Sequence, residues 1–206
     1  MKIGIYGGTF DPPHNGHINI CMNFLNQCLL DKLYIVPAFN PPHKSVKSKA
    51  SSKDRFNMST LAFSNISDKI EISNIEMKRQ GKSYTSDTIK YFKNHDENEI
   101  YLLCGTDMFL TLDLWHESSY VLKNSVITFA RRENDENTSK QIEEKISLYK
   151  KYYNTNIIML NCDIWKISST EIRKKIHLGY DTSEFVPKNV LNYIIEKNLY
   201  GELPDD

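Results

Sequence analysis

Residues 1–30 place three kinds of sequence in immediate succession: an apolar run, Met1–Tyr6 (MKIGIY); a turn-forming stretch, Gly7–His17 (GGTFDPPHNGH); and Ile18–Leu30, with Ile18, Met22, Leu25 and Leu29 at helical spacing. The first reads as a buried strand and the last as an amphipathic helix. Lys32–Pro37 (KLYIVP) is the next strand, ended by proline. A strand–helix–strand crossover implies a parallel pair, and this excludes most all-α and all-β architectures at once.

The turn itself is built for an anion. Gly7 and Gly8 let the backbone approach a ligand because no Cβ intervenes. Pro12 and Pro13 stiffen the turn. A helix opening near Gly16 aims free N–H groups and its positive dipole end at whatever sits there. His14 and His17, three apart, share a face if the first turn begins between them. The stretch lacks the Gly-Lys-Ser/Thr of a P-loop, and Gly4-x-x-Gly7-Gly8 is not the G-x-G-x-x-G of dinucleotide folds. No Cys-x-x-Cys or further ligand pair makes the histidines a zinc site, so no protein-held metal is expected.

The bulk numbers narrow the class. With 206 residues, 40% of them hydrophobic, the chain suits one domain over 1–206. Twenty-six basic residues balance 26 acidic ones, which gives no support to general nucleic-acid binding. Cys21, Cys28, Cys104 and Cys162 are scattered and read as reduced thiols in a reducing compartment, the cytoplasm. The first strand starts at once, so no signal or transit peptide is expected, and no apolar run spans a bilayer.

The rest of the chain continues the alternation. Ala38–Ser52 is a polar connection carrying Asn40 and Lys44; it follows a parallel strand and therefore overhangs the ligand side of the sheet. Lys44 is either a phosphate contact or one solvated lysine among many. Lys53–Ser64 reads as a helix, Lys69–Ile75 as a strand, Glu76–Lys82 as a polar turn, and Ser83-Tyr84-Thr85 opens a helix through about Lys93, with Ser83 or Thr85 as N-cap. Glu99–Gly105 (EIYLLCG) is a central strand with Gly105 and Asp107 at its carboxyl end; a carboxylate there suits ribose hydroxyls. Trp115 can stack on a flat ring or pack in a core. Asn124–Arg131 is a strand ending in Arg131-Arg132, Ser139–Tyr153 a surface helix and Asn156–Leu160 the last strand. Ile167–Ile176 begins with a capping box, Ser168 to Glu171. Its hydroxyls and N–H groups can hold phosphates, and Arg173 can reach back to them as a fork. Gly179 ends this helix, and Pro187–Leu199 is a closing helix with Val190, Leu191, Ile194 and Ile195 on its packing face. The expected fold is a doubly wound, Rossmann-like parallel sheet of about five or six strands with helices on both faces.

Gly8-Thr9-Phe10-Asp11-Pro12 with His14-Asn15-Gly16-His17, and Ile167-Ser168-Ser169-Thr170-Glu171-Ile172-Arg173 downstream, resemble the two signatures of the HxGH nucleotidyltransferase superfamily. Ser83-Tyr84-Thr85, Trp115 and the Val-Pro-x-x-Val-x-x-Tyr-Ile segment from Val186 resemble its nicotinate mononucleotide branch, of the bacterial type. The resemblance implies a single nucleotidyltransferase domain that moves the adenylyl group of ATP to nicotinate mononucleotide, with Mg²⁺ accompanying ATP. It implies His14, His17 and Arg173 as catalytic residues. Gly7, Gly8, Thr9, Phe10, Gly105, Asp107, Ile167, Ser168, Ser169 and Thr170 fall to ATP with them. Asn40, Lys44, Tyr84, Thr85, Asp107, Trp115, His116 and Arg132 fall to the acceptor. Two departures stand out: the family often has an aromatic at His116, and Arg-Pro-Gly where this chain reads Arg132-Glu133-Asn134. Pantetheine phosphate and nicotinamide mononucleotide are the competing acceptors, a nucleotide sensor is the competing class, and a homo-oligomer is left open.

Overall fold

The structure, a computed structural model, describes residues 1–41, 50–93, 97–130, 136–162 and 167–201. Its strands are β1 (Lys2–Gly8), β2 (Lys32–Pro37), β3 (Ile70–Ile72), β4 (Glu99–Gly105), β5 (Val126–Ala130) and β6 (Ile157–Leu160). Its helices are α1 (Asn15–Gln27), α2 (Ser52–Phe63), α3 (Ile75–Arg79), α4 (Thr85–Phe92), α5 (Thr106–Leu110), α6 (Ser118–Asn124), α7 (Glu136–Tyr153), α8 (Ser169–His177) and α9 (Lys188–Glu196), with a 3-10 turn at Leu112–Leu114.

The strands form one parallel six-stranded sheet in the order β3-β2-β1-β4-β5-β6. The chain steps outward from β1, returns to β4 beside it, and steps outward the other way. With right-handed crossovers that order puts helices on both faces, and it makes the β1/β4 pair the point where ligands gather outside the carboxyl ends. Lys2 pairs with Glu99 and Tyr6 with Leu103, so Gly7 and Gly105 leave the sheet at the same end.

The chain divides into two compact units. The first comprises Met1–Gly7, Ile20–Tyr34 and Tyr84–Ile164; the second comprises Gly8–Asn19, Ile35–Ser83 and Trp165–Asp206. In the first, Phe24, Leu30 and Leu33 are fully buried against β1. A Cβ on Gly4 would lie 2.4 Å from Leu30 Cδ1 and 2.8 Å from Leu33 Cδ1, so glycine here is a packing requirement. Phe109 stacks on Phe129 with centroids 4.2 Å apart. In the second, α2 packs on α9, and Met58, Phe63, Val190 and Ile194 of these helices are buried. Tyr193 Oη donates to Asp54 Oδ1 at 2.9 Å and accepts from Asn57 Nδ2 at 2.9 Å, which pins the two helices.

The sequence-based elements stand at nearly the expected places, with informative differences. β1 runs through Gly7 and Gly8, so the glycines end the strand instead of forming the turn. α1 begins three residues earlier than its apolar run, and its buried residues include Cys21, Phe24 and Leu25, with Cys28 buried just beyond its end. Leu29 lies beyond the helix with φ of 50° and is 74% exposed. α3 occupies part of the stretch read as polar turn. Ile195 is 76% exposed, because it lies about 100° round α9 from Ile194, which with Val190 forms the buried face. Among the described residues, no helix is long and apolar enough to cross a membrane.

Candidate active site

In the second unit, the segment after β1 is shaped by its own side chains. Phe10 has φ of 50°, a left-handed conformation that costs a bulky residue strain, and its ring is buried. The ring packs edge-on against Phe63 at 5.7 Å and His17 at 5.2 Å. A Cβ on Gly8 would lie 2.7 Å from the Phe10 ring, so Gly8 is small for Phe10; a Cβ on Gly7 would meet nothing within 4 Å. Asn15 at the head of α1 is pinned from two sides: its N–H donates to Phe185 O and its side chain to Glu184 O, both at 2.8 Å.

The two histidines meet as their spacing predicts. α1 starts between them, and their rings lie 3.7 Å apart, tilted by 34°. The His14 backbone N–H donates to His17 Nδ1 at 3.2 Å. With Nδ1 accepting, the ring proton of neutral His17 is assigned to Nε2, which makes that atom a hydrogen-bond donor.

The second signature arrives at the same segment. α8 has the capping box: Ser168 Oγ accepts from Glu171 N–H at 3.2 Å, and Glu171 Oε2 accepts from Ser168 N–H at 2.8 Å. The Ser168 hydroxyl and backbone hold the Glu171 carboxyl below the usual glutamate range. Ser169 Oγ donates to Pro12 O at 2.9 Å. Arg173 Nη1 donates to Asp11 O at 2.8 Å, and Nη2 donates to Thr170 Oγ1 at 3.2 Å. Two motifs about 160 residues apart in sequence thus make direct hydrogen bonds, between positions separated by 162 in the Arg173 case. A helix N-terminus, a guanidinium fork and paired imidazoles thus belong to one hydrogen-bonded arrangement, a combination of groups that can hold an anion. Ile167 and Thr170 flank the helix start; Thr9 is half-buried and its carbonyl accepts from Arg55 Nη1 at 2.9 Å. Asn40 is exposed and held by Ser83, whose N–H donates to Asn40 O and whose Oγ accepts from Asn40 N–H, both at 3.0 Å.

The first unit carries the remaining candidates. Tyr84 is the N-cap of α4 without a side-chain capping hydrogen bond, so neither Ser83 nor Thr85 is the N-cap; Thr85 is the first helical residue. The Tyr84 ring stacks on His116 at 4.1 Å and 29°. Gly105 caps α5, and Asp107 is exposed in its first turn. Thr106 Oγ1 donates to Ala130 O at 3.1 Å, fixing where α5 leaves β4. Trp115, half-exposed, follows the 3-10 turn, its N–H donating to Leu112 O at 3.1 Å. Lys44 and Arg132 lie outside the described residues, as does Arg131.

Three residues of the second unit were not singled out from sequence. Asp11 is 4% exposed, and its Oδ1 accepts from Tyr200 Oη at 2.8 Å and from Ala50 N–H at 3.3 Å. Arg55, 2% exposed, is the largest fully buried side chain and binds Thr9 O and Phe39 O. Burial pushes its pKa down while the Asp11 charge pushes back. The signal was present for Arg55, a charge in helical register with Met58, Ser59 and Ala62 on the buried face. Tyr200 has no local signal.

A model of the cytidylyltransferase-like family matches residues 5–175. A Clostridium tetani protein named a probable nicotinate-nucleotide adenylyltransferase is 38% identical over 205 residues, 97% of this chain and 98% of its own length. One of the same name from Clostridium kluyveri is 36% identical over 202 residues, covering 97% and 99%. The chain belongs to the nicotinate-nucleotide adenylyltransferase family. Solved structures show the family fold as well. The Plasmodium falciparum nicotinic acid mononucleotide adenylyltransferase complexed with NaAD superposes with a TM-score of 0.76 over 99% of both chains, at 23% identity. As a member of this adenylyltransferase family the chain is an enzyme, a nucleotidyltransferase.

Proposed function

We propose that the chain transfers the adenylyl group of ATP to nicotinate mononucleotide, releasing pyrophosphate and forming nicotinate adenine dinucleotide, a step of NAD biosynthesis. The carrying observation is the 2.8 Å hydrogen bond from Arg173 to Asp11 O, which brings the downstream fork to the turn that holds the two imidazoles.

In the proposed mechanism, a phosphate oxygen of the acceptor attacks the α-phosphorus in line, and the bond to pyrophosphate breaks. A phosphate monoester is already ionised near neutral pH, so no base need remove a proton and no covalent intermediate forms. Catalysis is then positioning plus stabilisation of developing negative charge. His17, through Nε2–H, serves the α-phosphate, with His14 beside the phosphate chain. Arg173 and the Ser168–Thr170 helix start hold the departing pyrophosphate, and the Gly7–Phe10 backbone and Ile167 complete donor binding. Gly105 and Asp107 serve the ribose. Tyr84, Thr85, Trp115 and His116 serve the nicotinate ring and its carboxylate, with Asn40, Lys44 and Arg132 at the acceptor phosphate.

Mg²⁺ is proposed to accompany ATP and offset part of the triphosphate charge. Among the described residues, no three His, Cys, Asp or Glu side chains converge into a metal cage. Residues 1–206 are proposed to act as a single nucleotidyltransferase domain. The buried, unpaired thiols of Cys21, Cys28 and Cys104 support a reducing, cytoplasmic setting.

Pyrophosphate release with ATP and each candidate acceptor tests the proposal. Nicotinate mononucleotide is expected to support release, well ahead of nicotinamide mononucleotide and pantetheine phosphate. No release with nicotinate mononucleotide would overturn it.

A further inference from the structure

A buried carboxylate stands in the middle of the turn assigned to a triphosphate. That is a liability unless something controls it, because Asp11 competes with phosphate for any nearby cation. Its two oxygens have different surroundings. Oδ1 accepts from Tyr200 Oη at 2.8 Å and Ala50 N–H at 3.3 Å. Oδ2 lies 3.9 Å from Arg173 Nη1, a loose ion pair, while the same nitrogen makes its close 2.8 Å bond to the Asp11 backbone carbonyl. The close bond of Arg173 is therefore to a neutral acceptor, while Oδ1 of the carboxylate is held by Tyr200 and Ala50 and its charge also acts on buried Arg55.

Tyr200 reaches this place against its own backbone preference. Its φ is 67°, where glycine is at ease and a tyrosine is strained. The side chain is 4% exposed. A buried ring needs no hydroxyl, yet the hydroxyl is present, bonded to Asp11, and its pKa is driven far above the ordinary tyrosine value by burial and then by the Asp11 charge. The neighbouring residue is tied back to the helix that carries Arg173: His177 Nδ1 lies 2.9 Å from Gly201 O, and the carbonyl can only accept. The contacts close a circuit from α8 through Gly201, Tyr200 and Asp11 to Arg173 and back to α8.

We propose that Tyr200 is a positioning residue of the donor site: its hydroxyl turns the Asp11 carboxylate away from Arg173 and leaves the guanidinium fork poised for the β- and γ-phosphates. This rests on the reading that the site takes the triphosphate of ATP. Without the hydroxyl, Asp11 closes on Arg173, and the two charges satisfy each other at the expense of phosphate.

Tyr200→Phe tests this, since it keeps ring, burial and backbone. Inorganic tripolyphosphate binding by calorimetry, well below the melting temperature, is expected to weaken about tenfold, the scale of one buried hydrogen bond. KM for ATP rises by a similar factor, while KM for nicotinate mononucleotide stays within about twofold. A merely structural role would lower the melting temperature and leave tripolyphosphate binding unchanged, and that result overturns the proposal. Adding Asp11→Asn to Tyr200→Phe removes the competing charge and is expected to recover most of the lost binding; further weakening in a folded double variant also counts against it. If Tyr200→Phe does not fold, Asp11→Asn alone is decisive, because it must bind tripolyphosphate at least as tightly as the parent. A parent enzyme that neither binds tripolyphosphate nor releases pyrophosphate defeats the functional reading itself.

Discussion

His17, the residue proposed to serve the α-phosphate, is held by its neighbours on several sides. Its Nδ1 is committed to the His14 N–H, its face packs on His14 and its edge meets Phe10. The bond from His14 N–H assigns the ring proton of neutral His17 to Nε2 before any ligand arrives. His17→Ala deletes that donor but leaves Phe10 wedged against Phe63. Turnover is expected to fall on the order of 10²-fold or more, the scale of a lost charge-stabilising donor, with little change in thermal stability. Pyrophosphate release and a thermal melt on the same preparation check both halves. Near-normal turnover would remove His17 from the mechanism.

At the scale of elements, α8 is the decisive piece, since its first turn is both a cap and a proposed phosphate cradle. The Ser168 hydroxyl and backbone depress the Glu171 pKa. The folded state therefore holds the deprotonated form more strongly, so this contribution is present above the ordinary glutamate range and is lost as pH falls through the depressed value. Ser168→Ala should return the Glu171 carboxyl toward the ordinary range in a ¹³C titration. It should also destabilise the fold by about 1 kcal/mol, as for a lost N-cap. A Glu171 titration unchanged by Ser168→Ala would refute the capping account.

This helix was legible in the sequence because a capping box is local, with donor and acceptor three residues apart. β2 and β4 were legible because a buried parallel strand is a continuous apolar run. The His14–His17 pair followed from helical spacing alone. What escaped was non-local or strained. Nothing near Tyr200 tells of Asp11, 189 positions away. Gly7 and Gly8 read as turn residues, but Gly8 is small because Phe10 folds back over it at a left-handed φ, which no spacing rule anticipates. α3 was missed because five residues are too few to show a period.

For the whole molecule, the buried acids set an alkaline limit to stability. Burial raises the thiols of Cys21 and Cys104 to about 12. Tyr200 and Tyr149 are raised beyond the ordinary tyrosine range, by burial first and by the neighbouring carboxylates Asp11 and Asp113 next. Tyr149 Oη lies 3.0 Å from both Phe109 O and Asp113 Oδ1, and Asp113 is salt-bridged to Lys145 at 2.6 Å, so an ionised tyrosine would face a carboxylate in a closed site. All four groups are protonated in the folded chain over a pH range where the unfolded chain has released its protons. Stability is therefore at full value below the unfolded pKa values. It falls as pH rises, first through the thiols near about 8.5 and then through the tyrosines near about 10. Each group adds about 1.4 kcal/mol per pH unit to the slope. Urea unfolding between these values and the raised ones should show a steep decline, accompanied by release of about one proton from each of these four groups. Tyr149→Phe should remove about one of those protons and flatten the limb above pH 10, even though it lowers stability at neutral pH by about 1 kcal/mol through the lost hydrogen bond. Parent and variant with the same alkaline slope would mean that Tyr149 ionises as readily folded as unfolded.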